Sequence, residues 1–265
     1  MPKKRKEKSA KNKVKRVIVT PDKHFPYEDK AAISVLCQSI EKIKPDAYID
    51  LGDLGEFESV SHWQWKKKKR PPLEYQLPFV YEEIEKVNKG LDKIDNALAK
   101  AKCTEKIMLQ GNHDEWLDRF VHENPYLSHL TFEKAIRIKE RGYDYYKNGK
   151  YFQMGKLWFY HGNHYAGIQH TRNHLTRLGC NVMYGHHHDI QQSSVTHMDG
   201  VKSAWSIGCL KDMSSEANNF LGNRQTNWSH AFAIVDFFEN GYFTVHVIQI
   251  IEGRTSLWGE VIDGR

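Results

Sequence analysis

Residues 106–114, KIMLQGNHD, connect a short apolar run to a turn that carries an amide, an imidazole and a carboxylate. The apolar run at 106–109 predicts a buried strand, and residues 115–122 predict the start of a helix. Open α/β sheets place their sites just beyond the carboxyl ends of such strands. This stretch therefore indicates an α/β fold with its chemistry at that edge of the sheet.

Four more polar motifs follow predicted strands in the same way. Residues two apart in an extended segment point in the same direction, so Asp22 and His24 can reach a single cation. Oxygen and imidazole ligands at five strand ends are hard to explain as core packing, and together they predict a metal site. The four motifs are Asp22-Lys23-His24, Gly52-Asp53, His161-Gly162 and Gly185-His186-His187-His188, and the strands before them are predicted at 17–19, 47–51, 156–160 and 181–184.

No repeat or linker divides residues 15–265, so the sequence predicts a single domain there. Its first half is predicted to be α/β and its second half rich in β-strands. Residues 57–104 are predicted to be a long, polar, largely helical insertion, which lies between the second and third motifs. Whether this insertion forms a lid is left open by the sequence. Further helices are predicted at 31–43 and 170–178, and Asn-Gly turn signals predict hairpins at 145–153 and between 232–238 and 242–251.

The composition excludes several classes of protein. The chain has 265 residues, of which 40% are hydrophobic and 27% charged, as in folded proteins rather than disordered ones. Its longest apolar stretches are far shorter than the roughly 20 residues that span a bilayer. These short stretches predict that the protein has no membrane partner. The cysteines are widely spaced and form no metal-binding or disulfide pattern, so they predict reduced thiols in a cytoplasmic protein. They are Cys37, Cys103, Cys180 and Cys209.

Positive charge is concentrated in two patches. Residues 1–16 contain nine lysines and arginines against one glutamate, although the net charge of the whole chain is only +6. Residues 1–14 are predicted to be a disordered basic tail. Such patches attract phosphate backbones, but they can also be simply solvated. The second patch follows Trp63 and Trp65, which could stack on a base while the charges grip its phosphate, or could instead anchor the insertion. It consists of Lys66, Lys67, Lys68, Lys69 and Arg70.

The five motifs in this order resemble the calcineurin-like metallophosphoesterases, whose pattern runs D-x-H, G-D, G-N-H-[DE], H and G-H-x-H. The resemblance covers 22–188 with every position filled, and residues 111–125, GNHDEWLDRFVHENP, are similar to the compact enzymes of phages and prophages. It implies a four-layer αββα sandwich, with two mixed β-sheets flanked by helices and a two-metal site on the loops that follow the strands.

The resemblance also implies a set of metal ligands. The donors are oxygens and imidazoles without thiolate, which suits two divalent cations. Mn²⁺ is favoured, while Fe, Zn²⁺ and Mg²⁺ stay open. One metal would be held by Asp22, His24, Asp53 and His188, and the other by Asp53, Asn112, His161 and His186.

The implied reaction is attack on phosphorus by a hydroxide that bridges the two metals. His113 would stabilise the transition state or protonate the leaving oxygen, and Asp114 would hold the ring of His113. His164, three residues after His161, is a candidate substrate contact. His187 is expected to point away from the metals, because side chains alternate along an extended segment.

The sequence differs from that of the Ser/Thr protein phosphatases, in which the G-D motif is followed by Asp-Arg-Gly. This chain has GDLGEF at 52–57, and its third motif ends in Asp114 rather than Glu. We therefore expect a phosphodiesterase or nuclease acting on nucleic acid. A nucleotide or small-molecule phosphomonoesterase is the first alternative, and a catalytically silent binding protein is the second. The choice between DNA and RNA, the cleavage polarity and the oligomeric state stay open.

Overall fold

A computed structural model describes residues 14–66, 68–214, 217–222 and 224–265. The predicted tail lies outside the described residues except for Val14, and so does Lys67. The helices are α1 (Lys30–Ile43), α2 (His62–Trp65), α3 (Leu73–Ala101), α4 (Asn112–Glu123), α5 (Phe132–Ala135) and α6 (His170–Leu178). The first seven strands are β1 (Lys15–Thr20), β2 (Ala47–Asp50), β3 (Glu105–Leu109), β4 (Tyr143–Tyr146), β5 (Phe152–Met154), β6 (Leu157–Phe159) and β7 (Val182–Tyr184). The others are β8 (Ile190–His197), β9 (Gly200–Ile207), β10 (His230–Phe237), β11 (Phe243–Ile250), β12 (Arg254–Leu257) and β13 (Glu260–Asp263).

The strands form two large mixed sheets and one small hairpin. The first sheet has the order β11-β10-β1-β2-β3-β4, in which β1 to β4 are parallel and β10 is antiparallel to its neighbours. The second has the order β5-β6-β7-β9-β8, with a parallel centre and antiparallel edge strands. Strands β12 and β13 pair with each other.

The buried side chains divide into three clusters, which define four layers. Alternate residues of β1, such as Val17 and Val19, pack with residues of the second sheet such as Phe159 and Met183, so this cluster fills the space between the sheets. Ile18 faces the opposite way into a cluster shared with α1, α3 and α4. A smaller cluster joins α6 to β7 and β9. The predicted sandwich of two mixed sheets flanked by helices is confirmed.

One of the two predicted hairpins is correct and the other is wrong. Strands β10 and β11 pair in antiparallel register across the Asn240-Gly241 turn. At Asn148-Gly149 the chain does turn, with Lys150 N–H bonded to the Lys147 carbonyl at 2.9 Å. The strands on either side nevertheless join different sheets, because β4 pairs with β3 and β5 pairs with β6. A turn signal fixes the local backbone, but it does not fix which strand becomes the partner.

The stretch predicted as an insertion contains α2, α3 and a 3₁₀ turn at Glu58–Val60. Helix α3 packs along α1 through its apolar face, and its outer face carries lysine–glutamate pairs four residues apart, such as Lys86–Glu82. Among the helices of the described ranges, none is both long and apolar enough to cross a membrane.

Candidate metal centre

All five motifs meet at one edge of the sandwich. Asp22, Asp53 and Asn112 follow β1, β2 and β3 of the first sheet, while His161 and His186 follow β6 and β7 of the second. Parallel strands end at the same edge of a sheet, and this brings together ligands that are up to 166 residues apart in sequence.

The first group of ligand atoms contains Asp22, His24 and His188. The Nε2 atom of His188 lies 3.1 Å from Oδ2 of Asp22 and 3.2 Å from Nε2 of His24. All three side chains are buried. Two imidazole nitrogens thus converge beside one carboxylate oxygen, which is the donor set that a divalent transition-metal ion takes.

The second group contains Asp53, His161 and His186. Nε2 of His161 lies 3.3 Å from Oδ2 of Asp53, 3.2 Å from Nδ1 of His186 and 3.0 Å from Oδ1 of Asn112. The other ring nitrogen of His161 lies 3.0 Å from the backbone carbonyl oxygen of Leu51, an acceptor that fixes the ring and leaves Nε2 toward the group.

Asp53 lies between the two groups. Its Oδ2 atom is 3.7 Å from Nε2 of His24 in the first group and 3.3 Å from Nε2 of His161 in the second. The structure therefore brings together the seven side chains predicted as ligands, with Asp53 at the centre. This arrangement is the one in which a single carboxylate can reach two cations.

Backbone conformation at the site is unusual. His24, Asp53, His186 and His188 have φ values of 52°, 47°, 64° and 63°, in the left-handed region that residues with a Cβ rarely adopt. Strain of this kind costs about 1–3 kcal/mol per residue and is typical of functional sites. The surrounding turns hold these side chains inward despite that cost.

Two motif glycines allow the carboxylates to approach the backbone closely. A Cβ atom on Gly185 would lie 2.1 Å from Oδ1 of Asp22, and one on Gly111 would lie 2.1 Å from Oδ1 of Asp53. The Asp22 carboxylate cannot move away easily from such a Cβ atom, because His186 N–H donates to both of its oxygens, each at 3.0 Å. The glycines of the motifs therefore serve the position of the ligands as well as the turn.

The electrostatics of the two groups favour a cation. Burial works against ionisation of Asp22, but the hydrogen bond from His188 outweighs it and holds the pKa of this carboxyl below its usual range. Burial also works against ionisation of Asp53, but there the charge of His161 outweighs it and lowers the pKa. Burial lowers the pKa of His24 to about 4 and, helped by the charge of His161, the pKa of His186 to about 3. Both rings are thus neutral at pH 7 and offer lone pairs.

His161 behaves in the opposite way. Burial again opposes protonation, but the charge of Asp53 outweighs it and raises the pKa of His161 to about 9. The imidazolium therefore supplies the positive charge that the carboxylates require. A metal ion at this position would replace that proton and would be met by ionised carboxylates and neutral imidazoles, so the residues present fit the metals that the sequence predicts.

His113, predicted as a catalytic residue, lies beside the first group, with its ring centroid 4.6 Å from that of His24. Its Nδ1 atom is 2.9 Å from the backbone carbonyl of Glu56 and 3.7 Å from the carboxylate of the same residue. Nδ1–H donates to the carbonyl, so Nε2 is left as the reactive atom. Trp116 packs on the ring at 3.9 Å between centroids.

The predicted role of Asp114 in holding His113 needs correction. The Asp114 carboxylate is buried and accepts backbone N–H groups from Gly111 at 2.9 Å, Gly55 at 3.1 Å and Leu54 at 3.3 Å. Burial, followed by repulsion from Asp53, raises the pKa of Asp114 to about 8. Consecutive residues of a helix point in different directions, so Asp114 caps the turn while its neighbour faces the metal ligands.

Glu56 is a site residue that the sequence reasoning missed. Its carboxylate lies 2.8 Å from Nδ1 of His24 and accepts a hydrogen bond from the buried Lys211 ammonium, also at 2.8 Å. Its interactions with His24, His113 and Lys211 outweigh the effect of burial and hold its pKa well below the usual range. The sequence signal that could have identified Glu56 is its carboxylate, three residues after the Gly52-Asp53 motif. Nothing in the sequence connects Lys211 with Glu56.

His187 and His164 face away from the ligand groups. The ring of His187 stacks on His170 at 3.8 Å between centroids, and its Nε2 atom lies 3.1 Å from the Tyr165 carbonyl oxygen. His164 is exposed, and its Nδ1 atom lies 3.0 Å from the Tyr151 hydroxyl. The structural role expected for His187 agrees with this packing, while a substrate contact for His164 stays a prediction.

The structure separates the two tryptophans of the predicted aromatic and basic patch. Trp63 is 60% exposed and lines a cavity of about 660 Å³ together with Asn112 and His113. Trp65 turns to a neighbouring cavity, and its indole N–H donates to the Ser59 carbonyl at 3.4 Å. The Nζ atom of Lys66 lies 4.9 Å from the centroid of the Trp63 ring. Lys68 and Lys69 are exposed. Arg70 forms an ion pair with Glu123, with Nη1 lying 2.7 Å from Oε2.

The chain is similar in sequence to two phage proteins. No protein-family model matches it. The chain is 21% identical to the Gene 54 proteins of Mycobacterium phages L5 and D29, over 267 and 269 residues. These alignments cover 93% of this chain and 98% of each phage protein. The similarity agrees with the phage character expected from residues 111–125.

Among solved structures, Vacuolar Protein Sorting 29 from Cryptosporidium parvum superposes with a TM-score of 0.50 at 12% identity. The superposition covers 94% of this chain and 98% of that one. At this identity the likeness concerns the fold alone, which is a sandwich of two mixed sheets flanked by helices.

Proposed function

We propose that the protein is a metal-dependent phosphodiesterase that acts on nucleic acid. The observation that carries this proposal is the position of Asp53 between two groups of imidazoles and carboxylates, all of them buried except the half-buried His186. The first cation would be held by Asp22, His24, Asp53 and His188, and the second by Asp53, Asn112, His161 and His186. We expect Mn²⁺. Such cations polarise a phosphoryl oxygen and lower the pKa of water toward neutrality.

The chain itself supplies orientation and proton transfer. The Glu56 carbonyl accepts a hydrogen bond from Nδ1–H of His113, which directs Nε2 toward the cavity that Asn112 also lines. A proton at Nε2 would pass to the leaving oxygen, and the Glu56 carboxylate nearby stabilises the charged ring before that transfer. His113 is thus the general acid and Glu56 is its positioning residue.

The basic segments support a nucleic acid as the substrate. Lys66 lies beside Trp63 at the cavity, and the exposed Lys68 and Lys69 follow it in the sequence. Lysines of this kind contact phosphates at a distance from the reacting bond and make binding depend on salt. Removing residues 1–14 should weaken DNA or RNA binding and flatten its salt dependence, whereas unchanged binding and slope would exclude the tail from the interface.

The proposed activity is tested by cleavage in Mn²⁺. Single-stranded and double-stranded oligonucleotides and a mononucleotide would be offered to the wild type, to His113→Ala and to the remote control His197→Ala. Polymer cleavage that needs metal and is lost only in His113→Ala supports the proposal. Phosphate release from the mononucleotide alone would show a phosphomonoesterase instead, and the absence of any turnover would favour a binding protein.

A further inference from the structure

The cavity beside His113 has a chemistry that neither the metal ligands nor the basic residues explain. A line of rings leads outward from the site: His113 contacts Trp116 at 3.9 Å, Trp116 lies 6.0 Å from His62, and His62 lies 4.4 Å from Trp63, measured between centroids. Phe220, which is 65% exposed, also lines this cavity. Exposed aromatic rings beside a reactive centre are suited to stacking on a flat ligand.

The cavity is also acidic. Glu58 lines it and is exposed, and its carboxylate contacts only neutral groups in the hydrogen bonds seen there, at 3.4 Å from the Tyr27 hydroxyl and 3.3 Å from the Gln64 amide. None of the ion pairs within the described ranges includes Glu58. An unneutralised carboxylate repels a phosphate, so the part of the cavity beside Glu58 suits a group other than the sugar–phosphate backbone. The exposed rings and the acceptor oxygens together suit a flat group that presents N–H donors.

We propose that this cavity binds a guanine base of the substrate, with Trp63 stacked on the base and Glu58 accepting hydrogen bonds from its edge. This inference rests on the proposed function, because the phosphate bound at the metal centre delivers the base to the cavity. A carboxylate has two acceptor oxygens and no donor. Guanine presents N1–H and the 2-amino group side by side on one edge, which a single carboxylate can accept together.

Stacking and edge recognition have separate consequences. Stacking on Trp63 tolerates every base, because each has an aromatic face, so this residue supports affinity in general. The Glu58 carboxylate discriminates, since a base without the 2-amino group donates one hydrogen bond to it instead of two. Loss of a hydrogen bond to a charged group corresponds to about tenfold in affinity.

The test is equilibrium binding of guanosine 5′-monophosphate and inosine 5′-monophosphate, followed by tryptophan fluorescence in the full chain. The two nucleotides have the same charge and differ only in the 2-amino group. We expect the wild type to bind the guanosine nucleotide about tenfold more tightly, and Glu58→Gln to bind the two equally. Equal affinity in the wild type, or a preference that survives in Glu58→Gln, would overturn the proposal.

The stacking residue has its own controls. Trp63→Ala should weaken both nucleotides by about tenfold, and Trp63→Phe should restore most of the loss. Tyr126→Ala is a matched control, because Tyr126 is 98% exposed on the 3₁₀ turn that follows α4 and does not line the cavity. Undiminished binding in Trp63→Ala would contradict stacking.

Hydrolysis of bis(p-nitrophenyl) phosphate with Mn²⁺ tests the proposed phosphodiesterase activity separately, because this diester carries no nucleobase. Turnover of the diester without nucleotide discrimination would overturn the base site alone. Nucleotide discrimination without turnover would uphold the base site and count against the phosphodiesterase.

Discussion

The backbone amide of His113 donates a hydrogen bond of 2.8 Å to Oδ1 of Asp53, across 60 residues of chain. This bond fixes the carboxylate so that Oδ2 is left to face His24 and His161. It also ties the start of α4, which carries the proposed acid, to the loop that carries the central ligand. This contact therefore links the position of the proposed central ligand to that of the proposed proton donor.

Replacing Asp53 by asparagine should remove the metals while keeping the shape of the turn. The amide oxygen can still accept from His113, but the negative charge shared by the two groups is lost. We expect most of the Mn²⁺ to be absent from Asp53→Asn after dialysis, as measured by elemental analysis. Asp199→Asn is the control, because Asp199 is an exposed residue paired with Lys202. Full metal content in Asp53→Asn would contradict the central role of this carboxylate.

His113→Ala should show the reverse behaviour. His113 is not among the seven proposed ligands, so the metal content should stay close to that of the wild type. Turnover should fall by about 10²–10⁴-fold, which is the usual contribution of a positioned general acid. Glu56→Gln should lie between this variant and the wild type, because the ring of His113 keeps its carbonyl partner but loses the nearby charge. If His113→Ala turned over at the wild-type rate at its optimal pH, the residue would have no part in the reaction.

Lys23 and Asp50 form an ion pair at 2.8 Å directly behind the ligands, and both side chains are fully buried. Lys23→Met would leave the Asp50 carboxylate without its partner, so we expect a loss of about 3–5 kcal/mol in the free energy of unfolding. The double variant with Asp50→Asn should recover part of that loss. Lys202→Met, at an exposed pair, should change stability by less than about 0.5 kcal/mol. Urea unfolding measures all three, and a small effect of Lys23→Met alone would show that water reaches the pair.

Glu83 on α3 should make stability depend on pH. Burial raises its pKa to about 7 although Ser59 donates to its carboxylate, and the charge of Glu58 adds to the shift. Because the pKa is higher in the folded state than in the unfolded state, the folded state holds the proton more tightly. This contribution is complete below about pH 4.5 and is lost as pH rises through 7.

The test compares urea unfolding at pH 5 and pH 8 in the wild type and in Glu83→Gln. Between pH 5 and pH 8, we expect the free energy of unfolding of the wild type to fall by about 1–3 kcal/mol more than that of Glu83→Gln. Contributions from other groups cancel in this comparison. Equal pH dependence in the two proteins would mean that Glu83 is ionised in the folded state throughout.

The sequence was sufficient to predict that the seven proposed ligands lie together, because their motifs follow strands whose ends converge. It could not assign Glu56, whose partners His24 and Lys211 become neighbours only through folding. It also misplaced the role of Asp114, since adjacency in sequence does not mean adjacency of side chains on a helix. The crossing between the sheets near Asn148-Gly149 was missed because a turn signal carries no information about the partner strand. Trp63 and Trp65 looked equivalent as a pair, but the short helix α2 turns them toward different cavities.

The ligands come from both sheets of the sandwich: Asp22, His24 and Asp53 from the first, and His161 and His188 from the second. A cation held by both sets would act as a removable cross-link between the two layers. Its binding free energy would add to that of folding, by about 2.7 kcal/mol at a free concentration of one hundred times Kd. The resistance of the protein to proteases would then follow the metal supply of its surroundings, because the loss of the cation would weaken the fold itself.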